Sequence, residues 1–76
     1  MILKVVSPEK VIFSGDVQMV KLLGSMGQFT VLENHAPLVS VLIPGQIIYR
    51  TDEEHTIEIR GGIVEVLNNN VAVCIN

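Results

Sequence analysis

The sequence predicts an all-β protein, a two-sheet antiparallel β-sandwich of about ten short strands. Three observations carry that prediction. Turn signals recur at short, even intervals. The runs between them are rich in Val and Ile, whose branched side chains suit a pleated surface better than a helix. Several runs alternate apolar and polar residues with a period of two.

In chain order the turn signals are Ser7-Pro8-Glu9, Ser14-Gly15-Asp16, Gly24-Ser25-Met26-Gly27, Glu33 to Pro37, Pro44-Gly45, Asp52-Glu53-Glu54, Gly61-Gly62 and Asn68-Asn69-Asn70. Gly supplies positive φ, Pro presets φ, and Asn and Asp tolerate left-handed backbone. Val5-Val6, Val11-Ile12-Phe13 and Leu38 to Ile43 are apolar on both faces, which marks strands that are central or covered by a partner. Pro44-Gly45 fits the two central positions of a type II turn leading into Gln46–Thr51. There Ile47 and Tyr49 oppose Ile48 and Arg50. In Thr56–Arg60, Ile57 and Ile59 oppose Glu58 and Arg60. Gly61-Gly62 marks a bend or a close backbone approach before the strand Ile63–Val66. The Asn triplet reads as a tight turn into the last strand. There Val71, Val73 and Ile75 oppose Ala72 and Cys74, and Cys74 is expected as a small, inert core residue.

With 76 residues the chain forms one domain, residues 1–76. A domain this small buries a modest share of its surface and leans on disulfides, metals or partners. Cys74 is alone, so no internal disulfide forms. Two His and one Cys are too few for a structural zinc site without carboxylates. A partner is the support that remains. Only 17% of residues are charged, against about 25% in ordinary soluble domains. Some apolar area is therefore expected to be covered by another protein. The net charge of −3, the lack of a Lys/Arg cluster and the shortage of aromatics argue against nucleic acid. No segment has a signal-peptide core or approaches the roughly 20 apolar residues of a membrane-spanning helix. A lone Cys and no export signal point to a reducing compartment.

Catalytic constellations are sparse. There is no P-loop, dinucleotide fingerprint or zinc-protease motif. Asp52-Glu53-Glu54 reads as a solvated hairpin tip before His55. The Asn34-His35-Ala36-Pro37 segment, between two apolar runs, has two readings. In one, His35 and Asn34 bond to the backbone and hold the loop. In the other, His35 is a ligand, a base or a contact with another subunit. An alternative reading of the whole chain is a small metal-dependent β-barrel enzyme using His35 and His55 with Glu33 or Glu54.

Four blocks, in order, resemble a known family across the full length. They are Val5 to Gly15 (VVSPEKVIFSG), Gly27 to Leu38 (GQFTVLENHAPL), Pro44-Gly45, and Gly61 to Val66 with Asn70 to Val73. Together they resemble the N-terminal β-sandwich domain of the ATP synthase epsilon subunit. The resemblance implies a non-catalytic subunit of the central stalk in a rotary F-type ATP synthase, with no cofactor. It would join the gamma subunit to the c-ring of the membrane sector and couple ion-driven rotation to ATP synthesis. The alpha/beta assembly of F1 would be an indirect partner. The resemblance also implies a peripheral membrane protein on the F1 side, the cytoplasmic face of a bacterial inner membrane. By position, Gly24, Ser25, Met26, Gly27 and Gln28 would face the c-ring. Ser7, Asn34, His35, Ala36, Pro37, Leu38 and Ser40 would face gamma. Two departures stand out. Leu23-Gly24 replaces a frequent Pro-Gly, so the ring-facing loop is expected to be less rigid. The sequence stops at Asn76, where the family begins a C-terminal helical hairpin. If Asn76 is the native end, inhibition and nucleotide binding by that hairpin are expected to be missing.

Overall fold

The computed structural model describes all 76 residues as strands and turns, with no helix. Nine strands follow one another: β1 (Ile2–Val6), β2 (Val11–Asp16), β3 (Met19–Gly24), β4 (Gly27–Val31), β5 (Leu38–Leu42), β6 (Gly45–Arg50), β7 (Glu54–Ile59), β8 (Gly62–Leu67) and β9 (Asn70–Ile75). They form a curled sheet in the order β2-β1-β9-β8-β5-β3-β6-β7, with β4 also paired to β3. The β5–β3 link is a single residue pair, Gly24 opposite Leu42. The sheet turns a corner there, held by Ser25 N–H to Val41 O at 3.0 Å and Ile43 N–H to Leu23 O at 3.1 Å. The result is two layers, β2-β1-β9-β8-β5 against β4-β3-β6-β7.

Alternation places the core between these layers. Leu3, Val5, Val64, Val66, Val71 and Val73 point inward from the first layer; Val20, Leu22, Val31, Ile47, Tyr49 and Ile59 meet them from the second. Phe13 from β2 packs on Tyr49 from β6, with ring centroids 4.4 Å apart, and closes the side away from the corner. The expected opposition of Ile57 and Ile59 to Glu58 and Arg60, and of Ile47 and Tyr49 to Arg50, is observed. So is the Asn turn. Asn68 and Asn69 take φ of +50° and +60°, the mirror-image conformation that suits a two-residue hairpin.

Several details differ from the sequence-based expectation. Strands number nine rather than about ten. β1 and β9 pair in parallel, so the sandwich is not wholly antiparallel. Parallel neighbours need a long connection, and here the whole chain between them serves. Ser14-Gly15-Asp16 is not a turn. Gly15 lies opposite Leu3 in the ladder, and the Phe13 ring lies over it. Pro44-Gly45 is not a type II turn, because Gly45 has no positive φ and already pairs with Ile59 in β6. Cys74 is exposed rather than a core residue, because its strand points Val71 and Val73 inward and leaves Ala72 and Cys74 outside.

The first strand is anchored through its own amine. The Met1 side chain is buried, and its α-ammonium donates to Glu33 Oε1 at 3.0 Å, Asp16 Oδ1 at 3.2 Å and Val17 O at 3.3 Å. The hydrogen bond with Glu33, then that with Asp16, raises the amine's pKa above 8.0, against a smaller opposing effect of desolvation. A folded-state pKa above the unfolded value gives stability that is complete below the unfolded pKa. That stability disappears as pH rises through the folded pKa. The expected result is a melting temperature that falls as pH rises beyond 8.0. The decline should be shallower in Glu33→Gln, and thermal melts from about pH 7 to about pH 10 measure both. The effect is modest because both carboxylates are mostly exposed and screened by solvent.

Candidate docking surfaces

The loop between β4 and β5 begins with a tight turn in which His35 N–H donates to Leu32 O at 3.2 Å. Its third residue, Asn34, takes φ +64°, which Asn tolerates. The loop is tied down on two sides. Glu33 holds the Met1 amine, and Asn34 is bonded to Asn69 in the β8–β9 turn. Asn34 N–H donates to Asn69 Oδ1 at 2.6 Å, and Asn69 Nδ2 donates to Asn34 Oδ1 at 3.0 Å. His35 is half-buried, and its Nδ1 lies 2.7 Å from Ala36 O. A carbonyl only accepts, so Nδ1 carries the hydrogen. The ring thus holds the loop, as the first of the two readings expects, whereas the Asn34 side chain bonds to Asn69 rather than to backbone of its own turn. Asn34, His35, Pro37, Asn68 and Asn69 line an open polar hollow of about 340 Å³.

The remaining residues expected to face gamma are spread out. Leu38 is the first residue of β5 and packs against the core, so it is as much a fold element as a contact. Ser40 is half-buried and lies on the inner side of β5, where a Cβ on Gly24 would sit 2.9 Å from its Oγ. Ser7 lies at the other end of the strands, in the β1–β2 turn. Its Oγ accepts from Glu9 N–H at 3.3 Å and Lys10 N–H at 3.2 Å, and donates to Lys10 O at 3.3 Å. The Gly24–Gln28 segment is the β3–β4 hairpin, a two-residue turn of Ser25 and Met26 between Gly24 and Gly27, which takes φ +123°. Met26 is 97% exposed at its tip. This tip and Ser7 occupy one end of the domain; the Asn34–Pro37 loop occupies the other.

One surface runs between them. On the outside of the first layer, Val41, Ile63, Cys74, Val6 and Val11 lie opposite one another in register across β5, β8, β9, β1 and β2. Val41 is 57%, Ile63 52% and Val11 54% exposed. Val39 and Leu67 add further exposed apolar area. The outside of the second layer is different: Thr30, Lys21, Ile48 and Thr56 share a row there. Sequence reasoning flagged Val11–Phe13 and Leu38–Ile43 as apolar on both faces. It did not join them into one row, because that needs the strand order.

His55 stacks on Tyr49, with centroids 5.1 Å apart, and its Nε2 lies 3.0 Å from Thr51 Oγ1. No three His, Cys, Asp or Glu side chains converge, so the metal-enzyme alternative has no assembled ligand set.

The fold is thus a β-sandwich with an exposed apolar row on one outer face and loops held by hydrogen bonds at both ends. The chain belongs, over residues 1–76, to the family described as the ATP synthase Delta/Epsilon chain, beta-sandwich domain. It is 39% identical over 75 residues to an ATP synthase epsilon chain of Desulfosudis oleivorans, covering 96% of this chain and 56% of that protein. It is 45% identical over 69 residues to that of Rhodopseudomonas palustris strain BisA53, covering 90% of this chain and 51% of that protein. The chain thus spans about half the length of these relatives. Its fold matches a chain in the cryo-EM structure of the Euglena gracilis mitochondrial ATP synthase (OSCP, F1 and c-ring). The TM-score is 0.92 at 22% identity, covering 99% of this chain and 49% of that one. A chain in the central stalk and c-ring structure from Tetrahymena thermophila matches with a TM-score of 0.85 at 17% identity, covering 97% and 61%.

Proposed function

We propose that this chain is a non-catalytic central-stalk element of a rotary F-type ATP synthase. It joins gamma to the c-ring and helps couple ion-driven rotation to ATP synthesis. It works at the membrane surface on the F1 side, the cytoplasmic face of a bacterial inner membrane, and reaches the alpha/beta assembly only through gamma. No helix of the structure is long and apolar enough to cross a membrane, so the link to the membrane sector runs through contacts. The observation that carries the reading is the apolar row Val41–Ile63–Cys74–Val6–Val11 on a domain whose other outer face is polar. A permanent partner removes such a row from water.

In this reading gamma lies along the row. The row crosses the strands near the end that carries Ser7 and the β3–β4 hairpin, where Ser25 N–H bonds to Val41 O. Exposed Val39 and Leu67 extend the apolar area toward the Asn34–Pro37 end, so one partner lying on this face reaches both ends. The β3–β4 hairpin meets the c-ring, with Met26 as a flexible apolar contact at its tip.

Cys74 is a built-in reporter, because it is exposed and lies within the row. In the isolated chain it should react with a maleimide. After mixing with gamma it should be protected by about tenfold or more, as expected where a contact excludes water. Affinity capture of the chain from ATP-synthase-containing membranes should recover gamma and the c subunit. Recovery of neither, with Cys74 equally reactive throughout, sinks the proposal.

A further inference from the structure

We propose that the Asn34–Asn69 amide pair is the clip that sets the shape of the docking loop, and that Asn69 is therefore a positioning residue for partner binding. The β8–β9 turn becomes part of the same contact surface. The second half of this inference rests on the proposed function; the first half does not.

Leu32 to Pro37 has no strand pairing, so its conformation depends on a few specific bonds. Two of these, His35 N–H to Leu32 O and His35 Nδ1 to Ala36 O, stay within the loop and cannot fix its position on the domain. Glu33 ties one side to Met1. The Asn34–Asn69 pair ties the other, across 35 residues of sequence. It is reciprocal: each residue gives one hydrogen and receives one. Both residues have positive φ, +64° and +60°. Glycine adopts that backbone at no steric cost. What asparagine adds is the side-chain amide: Asn69 uses its Oδ1 and Nδ2 on residue 34, which answers with its backbone N–H and its Oδ1. Asn70 Nδ2 to Asn68 O, at 3.0 Å, steadies the turn that carries Asn69. The polar hollow lies against this clip, bounded by Asn34, His35, Pro37, Asn68 and Asn69. A partner entering it meets amides and a ring nitrogen already held in place, so less ordering is needed on binding.

The positive φ values make a clean test possible. Asn34→Gly and Asn69→Gly each remove an amide and keep the turn. Three measurements on the full chain decide the matter: the melting temperature, hydrogen exchange at the residue-34 amide, and affinity for isolated gamma. In Asn69→Gly the melting temperature should stay within about 3 °C, because the pair is exposed and lies outside the core. Exchange at the Asn34 amide should rise about tenfold as its acceptor is lost. Asn69→Gly, which removes both bonds, should bind gamma about fivefold more weakly. Asn34→Gly, which keeps its backbone N–H on Asn69 Oδ1, should lose less. The double variant should be no worse than Asn69→Gly, the non-additivity of one shared interaction. Unchanged exchange in Asn69→Gly overturns the clip. Faster exchange with unchanged gamma affinity overturns the positioning role. Additive losses in the double variant overturn the pairing and make the two residues independent contacts. A wild-type chain that does not bind gamma at all overturns the proposed function together with the positioning role, and the exchange result still decides the clip.

Discussion

Gly62→Ala is expected to be the most damaging conservative change in the domain. Gly62 opens β8 and pairs with Ile75 of β9. A Cβ there would run into the Cys74 carbonyl oxygen, and would lie 3.0 Å from Ile75 Cα and 3.1 Å from the Cys74 carbonyl carbon. All three atoms are backbone, so no side chain can rotate away. β9 must move instead, and β9 lies between β8 and β1 with Val71 and Val73 fully buried beneath it. A shift there disturbs two ladders and the centre of the core. The expected loss is about 3 kcal/mol, at the upper end for forced overpacking. For a chain of this size that lowers the melting temperature by roughly 15 °C. Gly27→Ala separates this clash from backbone strain alone. Gly27 takes φ +123°, but a Cβ there meets nothing within 4 Å. Its cost should be nearer 1 kcal/mol. Calorimetry of the two variants checks the ranking, and equal melting temperatures would refute the close approach.

The contrast between these glycines shows what a sequence reveals and what it withholds. Gly61-Gly62 reads as a place of close approach because two glycines ahead of a β-branched run have little other reason to be there. Which backbone approaches depends on the register of the β8–β9 hairpin, which sets Gly62 opposite Ile75. Face assignments were legible for the same reason. Alternation at Ile57–Arg60 and Val71–Ile75 is set residue by residue, so the sequence shows that Val71, Val73 and Ile75 share one face and Ala72 and Cys74 the other, and the structure turns Val71 and Val73 inward. Small size favours burial at Cys74, but its parity, opposite to that of Val71 and Val73, turns it outward. Ser14-Gly15-Asp16 carries turn chemistry but sits inside a ladder, where pairing with β1 outweighs local preference. Pro44, in contrast, does lie in the β5–β6 connection, and Gly45 already pairs with Ile59.

The candidate site divides along the same line. The Asn34–Pro37 loop and the Gly24–Gln28 hairpin were visible as turns. The Asn34–Asn69 bonds, the Met1 amine between Asp16 and Glu33, and the apolar row all join segments remote in sequence. Ser40 illustrates the reverse case: the family resemblance implies that it faces gamma, yet its parity in β5 turns it toward Gly24.

Ile63→Asp is expected to separate folding from docking. Ile63 is the second residue of β8, with Val41 on one side and Cys74 on the other, and it is half exposed in the isolated domain. An aspartate there replaces no core atom, so folding should lose only about 1 kcal/mol, the cost of a poor strand former. Docking is another matter. Once a partner covers the row, the carboxylate is stripped of water beside Val41 and Cys74. Loss of an anchor at the centre of an interface typically costs about 2 kcal/mol or more, so affinity for gamma should fall at least about 30-fold. Thr56→Asp is the matched control. It places the same residue in an outer position of β7, in the polar row with Lys21 and Ile48. It should carry a similar folding cost and leave gamma binding within about twofold. Binding isotherms and thermal melts on the two variants give both numbers. If Ile63→Asp and Thr56→Asp weaken binding equally, the row is not the docking face. If Ile63→Asp unfolds the domain, the row belongs to the core.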